Sequence, residues 1–232
     1  MLKVVILIGL LISETAVGAK TIDAQTILQK ADAIRNPAKS YYMQVEVLAQ
    51  SKRSLFDVFI QGSDKTLIKT LQPRRDRGRN LLMIKENMWA YIPNLHRAIR
   101  VGLAQKLSGQ AANGDISRMR WSGDYTPKII TQSKQNWTLH LKAKKRGLTY
   151  DQLEVTIAKR TFRPLQAKFL TLTGKAMKLA KYENYQKREG KFRPLRIVIT
   201  DALKKSRVTT INILKIKSKQ FRNSLFNRQN LR

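Results

Sequence analysis

The stretch Met88–Tyr125, MWAYIPNLHRAIRVGLAQKLSGQAANGDISRMRWSGDY, decides how this chain folds. It opens as a strand: Trp89 and Tyr91 sit two apart, so both rings lie on one face of a pleated segment. Pro93 ends that segment, because it has no N–H with which to continue a ladder. Arg97 and Arg100 follow, and their spacing of three predicts neighbours on a helical turn. Leu103, Leu107 and Ala111 continue at intervals of four, an apolar helical pattern. The cluster Asn113-Gly114-Asp115 then makes a turn, in which Asp115 is better suited to capping a short helix than to acid–base work.

Upstream, Asp23 caps an amphipathic helix whose apolar face is Ile27, Leu28, Ala31 and Ile34, and Pro37 ends it. From Ser40 the period becomes two. Met43, Val45 and Val47 share one face of a strand, and Phe56, Val58 and Ile60 share one face of the next. Gly62-Ser63-Asp64 turns the chain into Thr66, Ile68 and Thr70, and 81–85 pairs with 88–92 across Glu86-Asn87. Downstream, strand-like runs cover 137–143, 153–157, 165–170, 176–185, 195–200 and 208–216, with Gly147, Gly174 and Gly190 between them. Residues 218–232 have the pattern of a short amphipathic helix through Phe221, Leu225 and Phe226.

About ten or eleven consecutive strands, with no helices alternating between them, exclude a parallel β/α architecture and imply one large antiparallel sheet. A sheet that wide twists and curls, leaving a concave face that helices can cover. The expected fold is therefore mainly β (α+β): an unclosed barrel with an N-terminal helix and inserted lid helices over its concave face.

The extreme N-terminus is expected to lie outside that fold. Met1–Lys3 is a short positive start, Val4–Ile12 is apolar and Val17-Gly18-Ala19 supplies small residues, the pattern of a secretory signal peptide over 1–19 cleaved after Ala19. The apolar run is shorter than the roughly 20 residues a bilayer span needs. Residues 20–232 then form a single domain without cysteine, so the fold does not rest on disulfides. The net charge is +31, from 46 basic and 15 acidic residues. An exported chain meets anionic lipid headgroups rather than nucleic acid, so an anionic membrane surface is the partner this charge suggests.

The order W-x-Y-x-P, R-x-I-R, G-Q-x-x-x-G-D and D-Y is carried here by Trp89, Tyr91, Pro93, Arg97, Ile99, Arg100, Gly109, Gln110, Gly114, Asp115, Asp124 and Tyr125. That pattern resembles the LolA-like family of periplasmic proteins, often called outer-membrane lipoprotein-sorting proteins. The resemblance implies a periplasmic carrier or chaperone for a lipoprotein acyl chain or another lipid. It also permits a sensor or accessory subunit of an inner-membrane exporter built on the same fold. A basic polyanion-binding protein is a third reading.

Catalysis has little support. His96 and His140 lack partners at metal-ligand spacing, and no nucleophile elbow, phosphate loop or zinc pattern is present, so no catalytic residue, metal or cofactor is assigned. An unclosed barrel with side chains turned inward makes an apolar cavity suited to acyl chains. Tyr42, Phe56, Met83, Trp89, Tyr91, Leu103 and Leu107 either line it or fill a core. Arg97 and Arg100 either contact a ligand headgroup at its mouth or pair with Asp115 or Asp124. The protein is expected to act as a monomer.

Overall fold

In the computed structural model, residues 22–36, 39–118 and 120–231 are described. The signal peptide expected over 1–19, its cleavage after Ala19 and the helix stop at Pro37 fall outside them. The first element is helix α1 (Ala24–Arg35), capped by Asp23, whose Oδ1 accepts the Thr26 N–H at 2.9 Å. Five strands follow: β1 (Ser40–Ala49), β2 (Lys52–Gln61), β3 (Lys65–Gln72), β4 (Leu81–Ile84) and β5 (Asn87–Ile92). A single 3-10 turn at Pro93–Leu95 leads to β6 (Arg97–Val101). The insert comes next, as the small hairpin β7 (Lys106–Ser108) and β8 (Ala111–Ala112) and the one-turn helix α2 (Asn113–Ser117). The remaining strands are β9 (Tyr125–Gln132), β10 (Asn136–Ala143), β11 (Gln152–Ala158), β12 (Pro164–Leu170), β13 (Ala176–Arg188), β14 (Lys191–Asp201) and β15 (Val208–Ser218).

Thirteen strands form one antiparallel sheet in the order β6-β5-β4-β3-β2-β1-β15-β14-β13-β12-β11-β10-β9. Strands β6 and β9 are its two edges and do not pair, so the barrel is unclosed. Two of the thirteen were not apparent from the sequence. Strand β9 is broken in pattern by Pro127, and β6 reads as a helical turn in isolation. In the structure β6 pairs with β5 from Met88↔Val101 to Ile92↔Arg97, and the ladder outweighs local spacing.

Alternation along these strands sorts the side chains. Tyr41, Met43, Val45, Val47, Phe56, Val58, Ile60 and Ile68 turn to the concave face, where α1 contributes Ile27, Leu28 and Ala31, all fully buried. Burial of this continuous cluster, from β1 around to β15, is the principal term holding the sheet curled over α1. The opposite, convex face has a smaller cluster of its own. The chain after β15 makes two 3-10 turns, Asn223–Phe226 and Arg228–Asn230, rather than the expected amphipathic helix. Its Phe221, Leu225, Phe226 and Leu231 pack on Phe59, Leu67, Leu82, Trp89 and Tyr91.

Candidate functional site

Helix α1 carries two charges on its buried stripe. Asp32 and Arg35 lie four residues beyond Leu28 and Ala31, so they share the apolar face and are themselves buried. The Asp32 carboxylate accepts the backbone N–H groups of Trp121 at 2.7 Å and Ser122 at 2.6 Å, and Arg35 lies 3.6 Å away. The Arg35 guanidinium stacks 3.7 Å over the Trp121 ring. Burial raises the Asp32 pKa, opposed by the Arg35 charge and by those two N–H bonds. Arg193 comes up from β14 and donates to the Ile34 carbonyl at 2.8 Å, satisfying an open C-terminal acceptor of α1.

The insert is latched across the concave face at three places. Gly109 has φ +57°, and a Cβ there would stand 2.4 Å from both Ala49 Cβ and Thr209 Oγ1. Beside it the Gln110 N–H donates to Thr209 Oγ1 at 2.8 Å. Gly114 packs so closely on Thr149 that a Cβ would come within 1.8 Å of its hydroxyl. Asp115 reaches back to the Ala112 N–H at 2.8 Å, accepts the Tyr150 hydroxyl at 2.8 Å and lies 4.0 Å from Lys178. Burial raises Asp115 and lowers Lys178, and the attraction between the two opposes both shifts. Burial also holds the Tyr150 phenol well above its ordinary value, so it stays protonated and donates. Downstream, Asp124 holds Arg118 through paired bonds, one of them 2.6 Å, and Arg118 donates to the Lys85 carbonyl at 2.9 Å.

Two of the spaces beneath this cover adjoin the buried charges Asp32 and Arg35. One is a small enclosed void of about 40 Å³ among Trp121, Tyr150, Phe169 and Tyr182. The other is a groove of about 510 Å³ between the C-terminal half of α1, the ends of β1–β3 and the end of the insert. Tyr41, Ile60, Thr66 and Ser117 line it as buried side chains, Ala33, Lys39 and Ser63 as exposed ones, and Arg118, Arg120 and Ser122 lie between these extremes. That volume falls within the ~300–1,000 Å³ of typical ligand pockets. In its lining the Ser117 Oγ and the Arg120 Nε are buried without a hydrogen-bond partner. Polar atoms left in that condition favour a polar group supplied from outside.

The residues singled out in the sequence do not gather in this groove. Trp89 and Tyr91 share a face as their spacing requires, but it is the convex face, under the C-terminal segment; Tyr42 lies there too, 5.5 Å from Phe59. Met83 and Leu103 form a satellite cluster with Met88. Phe56 and Leu107 meet at a separate cavity of about 130 Å³ with Ser54, Leu81 and Ala90. The helical pattern of Leu103, Leu107 and Ala111 gives instead a turn, β7 and β8, because Gly109 at positive φ closes a hairpin. Arg97 and Arg100 point to opposite faces of strand β6 rather than standing together on a helical turn. Neither pairs with Asp115 or Asp124: Arg100 donates to Asn87, and the two acids hold Lys178 and Arg118. Asp32, Arg35, Ser117, Arg118 and Arg120 were missed. A charged pair on the apolar stripe of α1 was the available signal.

Among the other motif residues, Pro93 starts the 3-10 turn after β5, and Tyr125 donates to the Tyr150 carbonyl at 3.0 Å. Among the described residues no group of three or more His, Asp or Glu is placed to hold a metal ion. Each buried carboxylate of the site has a cationic neighbour: Asp32 has Arg35, Asp115 has Lys178 and Asp124 has Arg118.

An unclosed antiparallel barrel, with a helix and a latched insert over its concave face, defines the lidded half-barrel class to which lipoprotein-sorting domains belong. A LolA superfamily protein from Nitrosomonas europaea superposes with a TM-score of 0.84 at 30% identity, covering 90% of this chain and 99% of that one. A Vibrio parahaemolyticus domain named for outer membrane lipoprotein sorting superposes with a TM-score of 0.77 at 19% identity, covering 90% and 97%. A DUF1329 family protein from Desulfovibrio piger gives 0.74 at 16% identity, covering 90% and 97%. These last two show the fold. A family model described as "Uncharacterized protein" matches residues 62–232. No curated protein matches the chain. The chain belongs to the LolA superfamily.

Proposed function

We propose that this protein is a periplasmic carrier or chaperone that holds a lipoprotein acyl chain or another lipid in the groove beside α1. The observation that carries this reading is the groove itself, with Tyr41 and Ile60 buried inside it and the exposed Lys39 and Ser63 and the half-buried Arg118 and Arg120 around them. An amphiphile fits such a site with its chain inside and its polar head among the surrounding polar groups. Membership of the LolA superfamily supports the reading, as does the secretory pattern of residues 1–19. Among the described residues no helix is long and apolar enough to cross a membrane.

Ala33 is exposed on α1 yet lines the groove, so Ala33→Trp fills it without disturbing the core. Native mass spectrometry of protein recovered from the periplasm, and uptake of a fluorescent fatty acid, test the reading. The wild type should carry or take up lipid, and Ala33→Trp should weaken uptake at least tenfold. A wild type that carries nothing and takes up nothing refutes it, and so does an Ala33→Trp variant that binds as the wild type does.

A further inference from the structure

The convex side ends in a pair of turns whose chemistry is unlike the rest of the surface. Leu203 and Leu172 are the most exposed of the large apolar side chains among the described residues, at 75% and 72%. Leu172 tips the hairpin between β12 and β13, and Leu203 lies in the turn between β14 and β15. The two turns flank the start of β13, where the Ala202 N–H donates to the Met177 carbonyl at 3.0 Å. Met177 and Leu179, also exposed, extend the apolar strip along β13.

Both turns are held in shape. Asp201 Oδ1 accepts the N–H groups of Leu203 and Lys204, each at 2.9 Å, and Arg207 N donates to the Lys204 carbonyl at 2.8 Å. In the hairpin, Thr171 Oγ1 accepts the Lys175 N–H at 3.0 Å. The leucines therefore stand outward on hydrogen-bonded turns. Around them Lys175, Lys204, Lys205 and Arg207 are all exposed. Of the acids beside these turns, Asp201 has its carboxylate committed to backbone N–H groups, and Asp151 stands next to Gln152, whose side chain donates to the Leu172 carbonyl at 2.7 Å.

A single exposed leucine is ordinary. Two on adjacent protruding tips, ringed by four cations, have the composition of an interfacial membrane anchor. Apolar tips enter the headgroup boundary, and Lys and Arg stems lie along it with their charges at the phosphates. We propose that the edge formed by these two turns docks the protein on an anionic lipid bilayer. Protruding tips suit a deformable lipid surface better than a protein partner, and the net charge of +31 favours approach to an anionic one. The edge adjoins the insert, because Lys178 of β13 donates to the Gln110 carbonyl and Thr209 of β15 accepts the Gln110 N–H. A docked membrane would thus meet the protein beside the latch that closes it. This inference is independent of what the groove holds.

Sedimentation with vesicles tests it, using phosphatidylglycerol mixed equally with phosphatidylethanolamine, against phosphatidylcholine alone. The wild type should sediment with the first and not with the second, and rising salt should weaken binding. Leu172→Ser with Leu203→Ser should lower partitioning at least about tenfold. Lys204→Gln with Lys205→Gln should lower it roughly thirtyfold. Lys134, between β9 and β10, and Arg160, between β11 and β12, are exposed on turns at the opposite end of the sheet, so Lys134→Gln with Arg160→Gln should change it less than twofold. The single leucine variants carry the test should the pair lower the melting temperature. The proposal is overturned by a wild type that does not sediment, by leucine variants that bind unchanged, or by equal losses from both charge pairs. The last result would assign binding to diffuse charge, and capture of an acidic protein instead of vesicles would assign the edge to a different partner.

Discussion

The Asp32 carboxylate accepts the backbone N–H of Trp121 at 2.7 Å, joining the face of α1 to the end of the insert across 89 residues of chain. The same oxygen accepts Ser122, and the carboxylate's charge is opposed by Arg35, which is sandwiched against the Trp121 ring. This contact ties the helix to the end of the lid. Asp32→Ala leaves Arg35 buried with no counter-charge, so it should cost about 3–5 kcal/mol in urea denaturation. Asp32→Leu with Arg35→Met removes both charges and should recover most of that loss. Equal losses for the single and double variants would show that the pair does not act as a unit.

The sequence revealed the sheet because a period of two survives in most of its strands, from Met43, Val45 and Val47 onward. Parity placed Trp89 and Tyr91 on one face, but parity alone does not say which face a helix covers. The convex face has its own cover in Phe221, Leu225, Phe226 and Leu231, and that cover depends on contacts far apart in sequence. The insert misled for a related reason. Spacings of four in Leu103, Leu107 and Ala111 fit a helix, yet Gly109 at positive φ closes a hairpin whose strands are too short to show alternation. The groove was least legible of all, since its walls come from α1, three strand ends and the insert, with no local motif linking them.

The Asp115 latch should respond to pH. Burial raises its pKa above the ordinary 3.8, against the pull of Lys178. A carboxyl raised by folding takes up its proton in the native state first, so its contribution is complete below 3.8 and is lost as pH rises through the raised value. Asp115→Asn cannot titrate and keeps an oxygen to accept a hydrogen bond. Relative to wild type, the melting temperature of Asp115→Asn should therefore fall less between pH 4 and pH 7. Parallel profiles for the two proteins would exclude Asp115 as the group responsible. The difference between profiles is the useful quantity, because Glu86 and Glu46, both lowered by hydrogen bonds to their partners, titrate in the opposite sense.

Gly109 is where the lid is most easily pried loose. An alanine there meets Ala49 and Thr209 at 2.4 Å and must also hold a left-handed φ of +57°. Gly109→Ala should cost about 1–3 kcal/mol and be felt mainly in the insert. Hydrogen exchange should quicken at Gln110 and over 105–117 while the β13–β14 ladder stays protected. Uniform quickening across the sheet would mean that the insert and the barrel open together.

The two faces of the sheet should be separable by mutation. Phe226 is buried on the convex face among Leu67, Leu82 and Phe221, with its ring 6.1 Å from that of Phe221. Phe226→Ala removes a large side chain from a small cluster, so it should lower stability by about 3 kcal/mol. The groove lies on the other side of β1–β3, where Tyr41 and Ile60 point away from Phe59 and Leu67. Fatty-acid uptake by folded Phe226→Ala should therefore match the wild type, whereas Ala33→Trp should lose uptake at nearly unchanged stability. If Phe226→Ala abolished uptake while still folded, the C-terminal segment would have to take part in holding the ligand, and the alternation that divides concave from convex would no longer separate binding from support.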